Sequence, residues 1–381
     1  MRSTPWARAR ELAHAGPAPL AADHAPLADA LGATLAAPLR AAVPLPAFDN
    51  AAMDGYAVAD GGPWRVVGRL LAGHGEAVSL GTGEAAEIAT GAPVPPGTRA
   101  VLPYELAVRD GDLVAGAVEP GRYVRRVGED AAKGAELVSA GSVVTPVLLG
   151  LAASVGVDVL PVRARPRVVA LVTGDEIIHS GPPGNGRVRD AVGPMLPGVV
   201  DHLGGELVLT MPVPDTPASE LVGAVGSADA DVVVVCGSSS AGPADRLRGV
   251  LADLGARLVV DGVACRPGSP QALAELRDGR WLVGVPGNPY AALVALLTLL
   301  GPLLAGLTGR PLPVLPAVPL RGDPRPAAGL TRLVPVRWSG AEVAVLEGPP
   351  MRAGRLPAGA DLLAAVPADY SGGPVPLVAL P

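Results

Sequence analysis

Four stretches between residues 166 and 289 carry apolar residues in nearly unbroken runs: PRVVALVTGDE, GELVLTMPV, ADVVVVCGSSS and GRWLVGVPGNP. Each run stops at glycine, serine or proline, and helical segments separate them. A strand with one wet face alternates polar and apolar residues; a continuous run needs cover on both faces, and strands joined through helices run parallel. Residues 166–309 are therefore predicted to form a mostly parallel, doubly wound α/β sheet. Ligands of such sheets bind beyond the carboxyl ends of the strands, here TGDE, CGSSSAGPAD and VPGNP.

The flanking text differs. In PLADALGATLAAPLR the leucines Leu27, Leu31 and Leu35 recur on one helical face, so residues 5–40 are predicted helical until Pro44 and Pro46 stop them. Residues 61–145 and 312–381 carry short valine-bearing runs between glycines, the pattern of small β domains. With 381 residues, two to four domains are expected. Aromatics are only 3%, so Ala, Val and Leu must fill the cores.

Several classes are set aside. A net charge of -6 without a Lys/Arg-rich run argues against a nucleic-acid partner. Cys236 and Cys265 give neither a disulfide framework nor a zinc cluster. The N-terminal MRSTPWARARELAHAG has charges interleaved through it, unlike a signal peptide, and YAALVALLTLLGPLLAGL carries Gly and Pro, which favours a buried helix over a membrane span. A soluble, cytoplasmic protein is expected.

Each loop at the predicted sheet edge has two readings. In VPGNPYAAL, Asn288 stands as helix N-cap and Pro289 as first helical residue; the free N–H groups there can seat a phosphate, or simply start a helix well. CGSSSAGPAD offers glycines, three hydroxyls and Asp245 around an anion, or a serine-rich surface turn. Asp175 and Glu176 are adjacent acids that suit a hydrated Mg²⁺, or an ordinary acidic helix start. Upstream, PLPAFDNAAMDGYAV presents Asp54 beside a glycine. Together the three sheet-edge loops favour a phosphate-bearing ligand.

The chain resembles the molybdopterin molybdenumtransferase family, MoeA in bacteria and the gephyrin E domain in animals. The resemblance rests on PLPAFDNAAMDGYAV, EIATGAPVPPGTRAVLPYE, VRRVGEDAAKGAEL, ARPRVVALVTGDEI, CGSSSAGPAD, VACRPGSPQAL and VGVPGNPYAALV, in family order over residues 10–310. It implies a helical linker in residues 1–60 that continues around 122–165, an inserted β domain in 61–121, a molybdopterin-binding α/β domain in 166–311 and a terminal β domain in 312–381, in a homodimer. It implies a reaction in which adenylylated molybdopterin and molybdate give molybdenum cofactor and AMP with Mg²⁺ present. Carried over by motif, Asp54, Thr90, Glu176 and Asp245 are catalytic. Asp54, Asp175, Glu176 and Asp245 are the metal candidates. Gly237, Ser238, Ser240, Arg266, Ser269, Pro286, Asn288 and Pro289 bind substrate. Asp130 in GEDAAKG supports a metal or pins a turn.

The anion-holding motifs depart from the family pattern. KPGKP reads Arg266-Pro267-Gly268-Ser269-Pro270, and GGVSVG reads Gly237-Ser238-Ser239-Ser240-Ala241-Gly242. Ala51 and Val192 replace a family Ser and Asn. An active molybdenum insertase is the leading reading; a non-catalytic pterin- or nucleotide-binding paralogue and a related transferase with another anionic substrate are the alternatives.

Overall fold

A computed structural model describes residues 3–73, 78–237, 246–346 and 356–381. The chain divides into two compact units: Met1–Asp23, Gly32–Ala36 and Val162–Pro381 form one, and His24–Leu31 with Ala37–Pro161 the other.

The first unit is built on a six-stranded sheet ordered Glu206–Val213, Arg167–Thr173, Val232–Cys236, Trp281–Val285, Ala272–Glu275, Arg257–Asp261. The first four strands are parallel; the last two join antiparallel, which the apolar runs did not announce. Successive residues of a strand face opposite ways. Thus Val232 and Val234 enter one core with Leu296, Leu299 and Leu303, while Val233 and Val235 enter another with Leu221, Val225 and Leu251. Both faces are covered, so the mostly parallel doubly wound sheet expected from the sequence is present.

The helical run Pro289–Thr308 is long and apolar enough to cross a membrane, yet 94% of its apolar window is buried inside this unit. Trp6 Nε1 donates to the Thr298 hydroxyl at 3.0 Å, tying the helix Trp6–Ala15 against it.

A second sheet of the same unit runs Thr4–Pro5, Val263–Arg266, Thr331–Ser339, Glu342–Val345, Ala317–Arg321, Pro374–Ala379, Leu362–Val366. Leu362–Val366 also pairs with Thr331–Ser339, so five strands close into a ring around Val334, Val336, Val343 and Leu377. Closure removes open edges, the usual liability of a small β domain.

The expected helix over residues 5–40 is confined to Trp6–Ala15. Leu27 opens a single 3₁₀ turn, Leu31 is exposed, and Leu35 lies in the strand Thr34–Leu35, paired with Val159–Arg163. The leucine spacing was helical, but Pro17, Pro19, Pro26 and Pro38 each remove a backbone donor, so no continuous helix survives.

The second unit carries a six-stranded sheet ordered Ala107–Asp110, Leu113–Gly116, Trp64–Leu70, Glu84–Ile88, Gly55–Val58, Ala100–Pro103. Alternate residues again feed two clusters, Ala57 with Ile88 and Val101, and Val58 with Leu102 and Val114. The helix Pro146–Ser154 follows, capped by Thr145 Oγ1, which accepts from the Leu148 amide at 3.2 Å.

Candidate active site

In the second unit, antiparallel pairing sets Gly55 opposite Ile88. The residue before Gly55 and the residues after Ile88 therefore emerge at one end of the sheet. There the Thr90 amide and hydroxyl both donate to Asp54 Oδ1, at 2.6 and 2.9 Å. Oδ2 accepts from no protein donor among the described residues. The amide of Thr90, then its hydroxyl, hold the Asp54 carboxyl below its ordinary value by favouring the charged form. Glycine is required next door, because a Cβ on Gly55 would lie 2.1 Å from the Leu102 carbonyl oxygen.

Asp49 secures the approach to this loop. Its Oδ1 accepts from the Val127 amide at 2.8 Å and its Oδ2 from Arg126 Nη1 at 2.6 Å. Asp130 uses its amide, bonded to the Leu45 carbonyl, while its side chain is exposed; of its two readings, the turn is the one with a contact.

A cavity of about 250 Å³ opens beside Asp54 over Leu70 and Ile88, with Arg69, Glu87 and Tyr104 on its wall. The Tyr104 hydroxyl donates to Glu87 Oε1 at 2.6 Å, and Arg69 Nε stands 3.7 Å from Glu87 Oε2. Burial, then the bond to Glu87, raise the Tyr104 pKa, so the phenol stays protonated. The sequence reading missed these three residues. The available signal was the charge pattern of two neighbouring strands: Arg65 and Arg69 in WRVVGRL face Glu84 and Glu87 in EAAEI once an irregularity between Val66 and Gly68 shifts the register.

In the first unit, the four parallel strands bring Gly174, Asp175 and Glu176, then Asp215, Gly237 and Pro286 to Asn288, to one sheet edge. Asp175 Oδ1 accepts from the Asp215 amide at 3.1 Å, and Arg246 Nη1 donates to the Asp215 carbonyl at 2.7 Å, so two loops are joined. Asp215 was not singled out from sequence; its place after an apolar run was the missed signal. Glu176 is exposed, with its carboxylate against Gly174. Gly237 has φ +98, and its amide donates to the Val285 carbonyl at 3.0 Å. A Cβ there would meet Thr173 Oγ1 at 2.7 Å, so the loop starts only from glycine.

Asn288 caps its helix as read: Oδ1 accepts from the Ala291 amide at 3.0 Å and Pro289 is the first helical residue. Pro286 is buried just before it. Gly268 packs on the same helix, with its Cβ position 3.0 Å from the Ala291 carbonyl oxygen. Arg266 is exposed. The turn that follows it is closed from within: the Ser269 hydroxyl donates to the Cys265 carbonyl, and Gln271 Nε2 donates to the Gly268 carbonyl at 2.8 Å. Ser269 thus spends its hydroxyl on its own turn. Burial pushes the Cys265 thiol up to about 12, which keeps it a neutral donor to the Pro267 carbonyl at 3.4 Å.

The structure thus brings Asp54 and Thr90 together in one unit, and Asp175, Glu176, Gly237, Pro286, Asn288 and Pro289 to one sheet edge in the other. Ser238, Ser240 and Asp245 lie outside the described residues. Among the described residues no three His, Cys, Asp or Glu side chains gather as a metal-holding group.

Residues 4–156 match the MoeA N-terminal region, domains I and II, and residues 169–306 match the probable molybdopterin binding domain. Molybdopterin molybdenumtransferase 2 of Mycobacterium tuberculosis is 35% identical over 316 residues, 76% of each chain. The chain belongs to the molybdopterin molybdenumtransferase family. The Haemophilus influenzae molybdopterin molybdenumtransferase is 32% identical over 304 residues, covering 77% of this chain and 75% of that one. Among solved structures, the molybdopterin biosynthesis moeA protein of Pyrococcus horikoshii superposes over 99% of both chains with TM-score 0.79 and 26% identity. The family match spans both units, so the fold and the order of motifs agree along the chain.

Proposed function

We propose that this molybdopterin molybdenumtransferase family member is a transferase of molybdenum cofactor biosynthesis that inserts molybdate into adenylylated molybdopterin and releases AMP. Family membership supports the transferase, and the carrying observation for the site is Asp54: a carboxylate kept ionised by two Thr90 donors, with one oxygen left open. Such a group accepts protons poorly and donates none at neutral pH, so it suits binding a cation or orienting a water rather than general-acid chemistry. In the other unit, the positive end of the helix that opens at Pro289 and the exposed guanidinium of Arg266 offer positive potential to phosphate oxygens. Pro286 and Pro289 fix the path of that loop. Glu176 and Asp245 complete the catalytic set by motif, and the hydroxyls of Ser238 and Ser240 the anion loop.

Mg²⁺ fits these residues as a substrate-borne ion, since it commonly needs only one or two carboxylates beside phosphates and water. When bound it would supply charge compensation to the crowded oxyanions. Asp54 is the best-placed ligand, and Asp175 has one oxygen engaged by the Asp215 amide. A homodimer, a cytoplasmic location and the fourfold division into linker, inserted β, molybdopterin-binding and terminal β segments belong to the same reading. A monomer in sedimentation at micromolar concentration would count against the dimer.

The test is AMP release and cofactor formation from adenylylated molybdopterin, Mg²⁺ and molybdate. Asp54→Asn keeps the shape and removes the charge, so it should abolish AMP release with little loss of substrate affinity. Equal turnover in variant and parent refutes the assignment. A non-catalytic binder is the second reading, favoured by the inward Ser269 hydroxyl, which leaves Arg266 as the cation of its loop; binding without AMP release in the parent would support it.

A further inference from the structure

We propose that the cavity beside Asp54 is an oxyanion seat, with Arg69 as its binding residue and a dianionic tetrahedral oxyanion as its ligand. The inference deepens the proposed function and rests on Asp54 facing the molybdate-handling end of the reaction.

Arg69 and Glu87 are opposite one another in paired strands. Glu87 Oε2 stands 3.7 Å from Arg69 Nε, an ion pair without a hydrogen bond, and the other Glu87 oxygen accepts from the Tyr104 hydroxyl at 2.6 Å. Tyr104 packs edge-on against Tyr56, ring centroids 5.2 Å apart, which fixes the far end of the chain. The Nε edge of the guanidinium is therefore drawn toward Glu87, while Nη1 and Nη2 donate to no protein acceptor among the described residues. Those two nitrogens form the planar fork that matches an oxyanion in bidentate fashion.

Asp54 lines the same cavity and carries the opposite charge. Asp54 Oδ1 is taken twice by Thr90, and Oδ2 is open. With Glu87 committed to Arg69 and Tyr104, the groups left for a ligand are one cationic fork and one carboxylate oxygen. A lone anion would meet repulsion from Asp54, and a lone cation would meet Arg69. An oxyanion that arrives with a divalent cation satisfies both, the oxyanion on Arg69 and the cation on Asp54. The cavity's 250 Å³ corresponds to about eight waters, ample for such a pair with some of its hydration.

The same chemistry could come from free molybdate or from the phosphate of a nucleotide. Binding without turnover separates the two: calorimetric titration of the full chain with molybdate, and separately with AMP, at low ionic strength and with Mg²⁺ present. Arg69 is 67% exposed, so its variants leave the fold intact. Arg69→Gln should weaken one of the two ligands about tenfold, the loss of a charge-assisted pair at a partly solvated site. Arg69→Lys, a point charge without the fork, should recover only part. Weakened molybdate names molybdate as the occupant, and weakened AMP names the nucleotide phosphate. Omitting Mg²⁺ should weaken the same ligand in the parent. Unchanged affinity for both ligands in Arg69→Gln, or a parent that binds neither, overturns the seat. Absence of AMP release in the turnover assay would instead bear on the proposed function, since these titrations need no turnover.

Discussion

Replacing Gln271 by Met tests how the turn after Arg266 is held. Gln271 is 1% exposed; Nε2 donates to the Gly268 carbonyl at 2.8 Å and to Cys265 Sγ at 3.3 Å, while Oε1 is buried with no partner. Methionine has similar length and neither polar atom. Losing Nε2 orphans the buried Gly268 carbonyl, at a cost of about 1–3 kcal/mol. Losing Oε1 removes an acceptor that is already unsatisfied, a gain of about the same range. The two nearly cancel, so urea unfolding should show a midpoint corresponding to a change below about 1 kcal/mol at unchanged slope. Gln271→Ala lacks this balance because it also leaves a void, and should lose a further 1–2 kcal/mol or so. The turn itself becomes looser in Gln271→Met, so the Michaelis constant for the anionic substrate should rise severalfold with kcat little changed. A stability loss above about 2 kcal/mol in Gln271→Met would refute the reasoning, since it would mean that Oε1 contributes a bond of its own.

Two further outcomes follow from the site. Thr90→Val removes the hydroxyl donor and keeps the amide donor to Asp54. A carboxylate depressed in the folded state contributes stability above its unfolded pKa and loses it as pH falls through the folded pKa, so the acid limb of both activity and stability should move upward toward the ordinary carboxylate range; an unchanged acid limb would exclude the hydroxyl from that role. Asn288→Asp preserves the cap, with stability within about 0.5 kcal/mol of the parent, yet adds negative charge where the phosphate is proposed to sit. Phosphate-bearing ligands should bind several-fold more weakly, and equal affinity in a titration would remove the seat from this helix end.

The parallel strands and the Asn288 cap were legible because both are local: an apolar run or a side chain next to the amide it caps needs no distant partner. The 5–40 helix is cut short because helical leucine spacing cannot offset four interior prolines, each of which removes a backbone donor. Contacts between residues far apart left no periodic trace. Asp54 and Thr90 are 36 residues apart and meet only through the Gly55–Ile88 register. Their pairing entered through family resemblance, whereas Arg69, Glu87 and Tyr104 lay in ordinary strand text. The inward Ser269 hydroxyl was equally hidden, since a serine in place of a lysine looks like lost charge until its partner is seen to be a carbonyl in the same turn.

The strand Val263–Arg266 leads directly into the turn that carries Arg266, and it is laced between Thr4–Pro5 and Thr331–Ser339. The α/β region is therefore not a cassette that can be lifted out between residues 166 and 311. Cutting the chain there would strip both neighbours from one stem of that turn. Insertions into this chain are best tolerated elsewhere, because Thr4–Pro5 and Thr331–Ser339 meet at the strand that carries the exposed arginine.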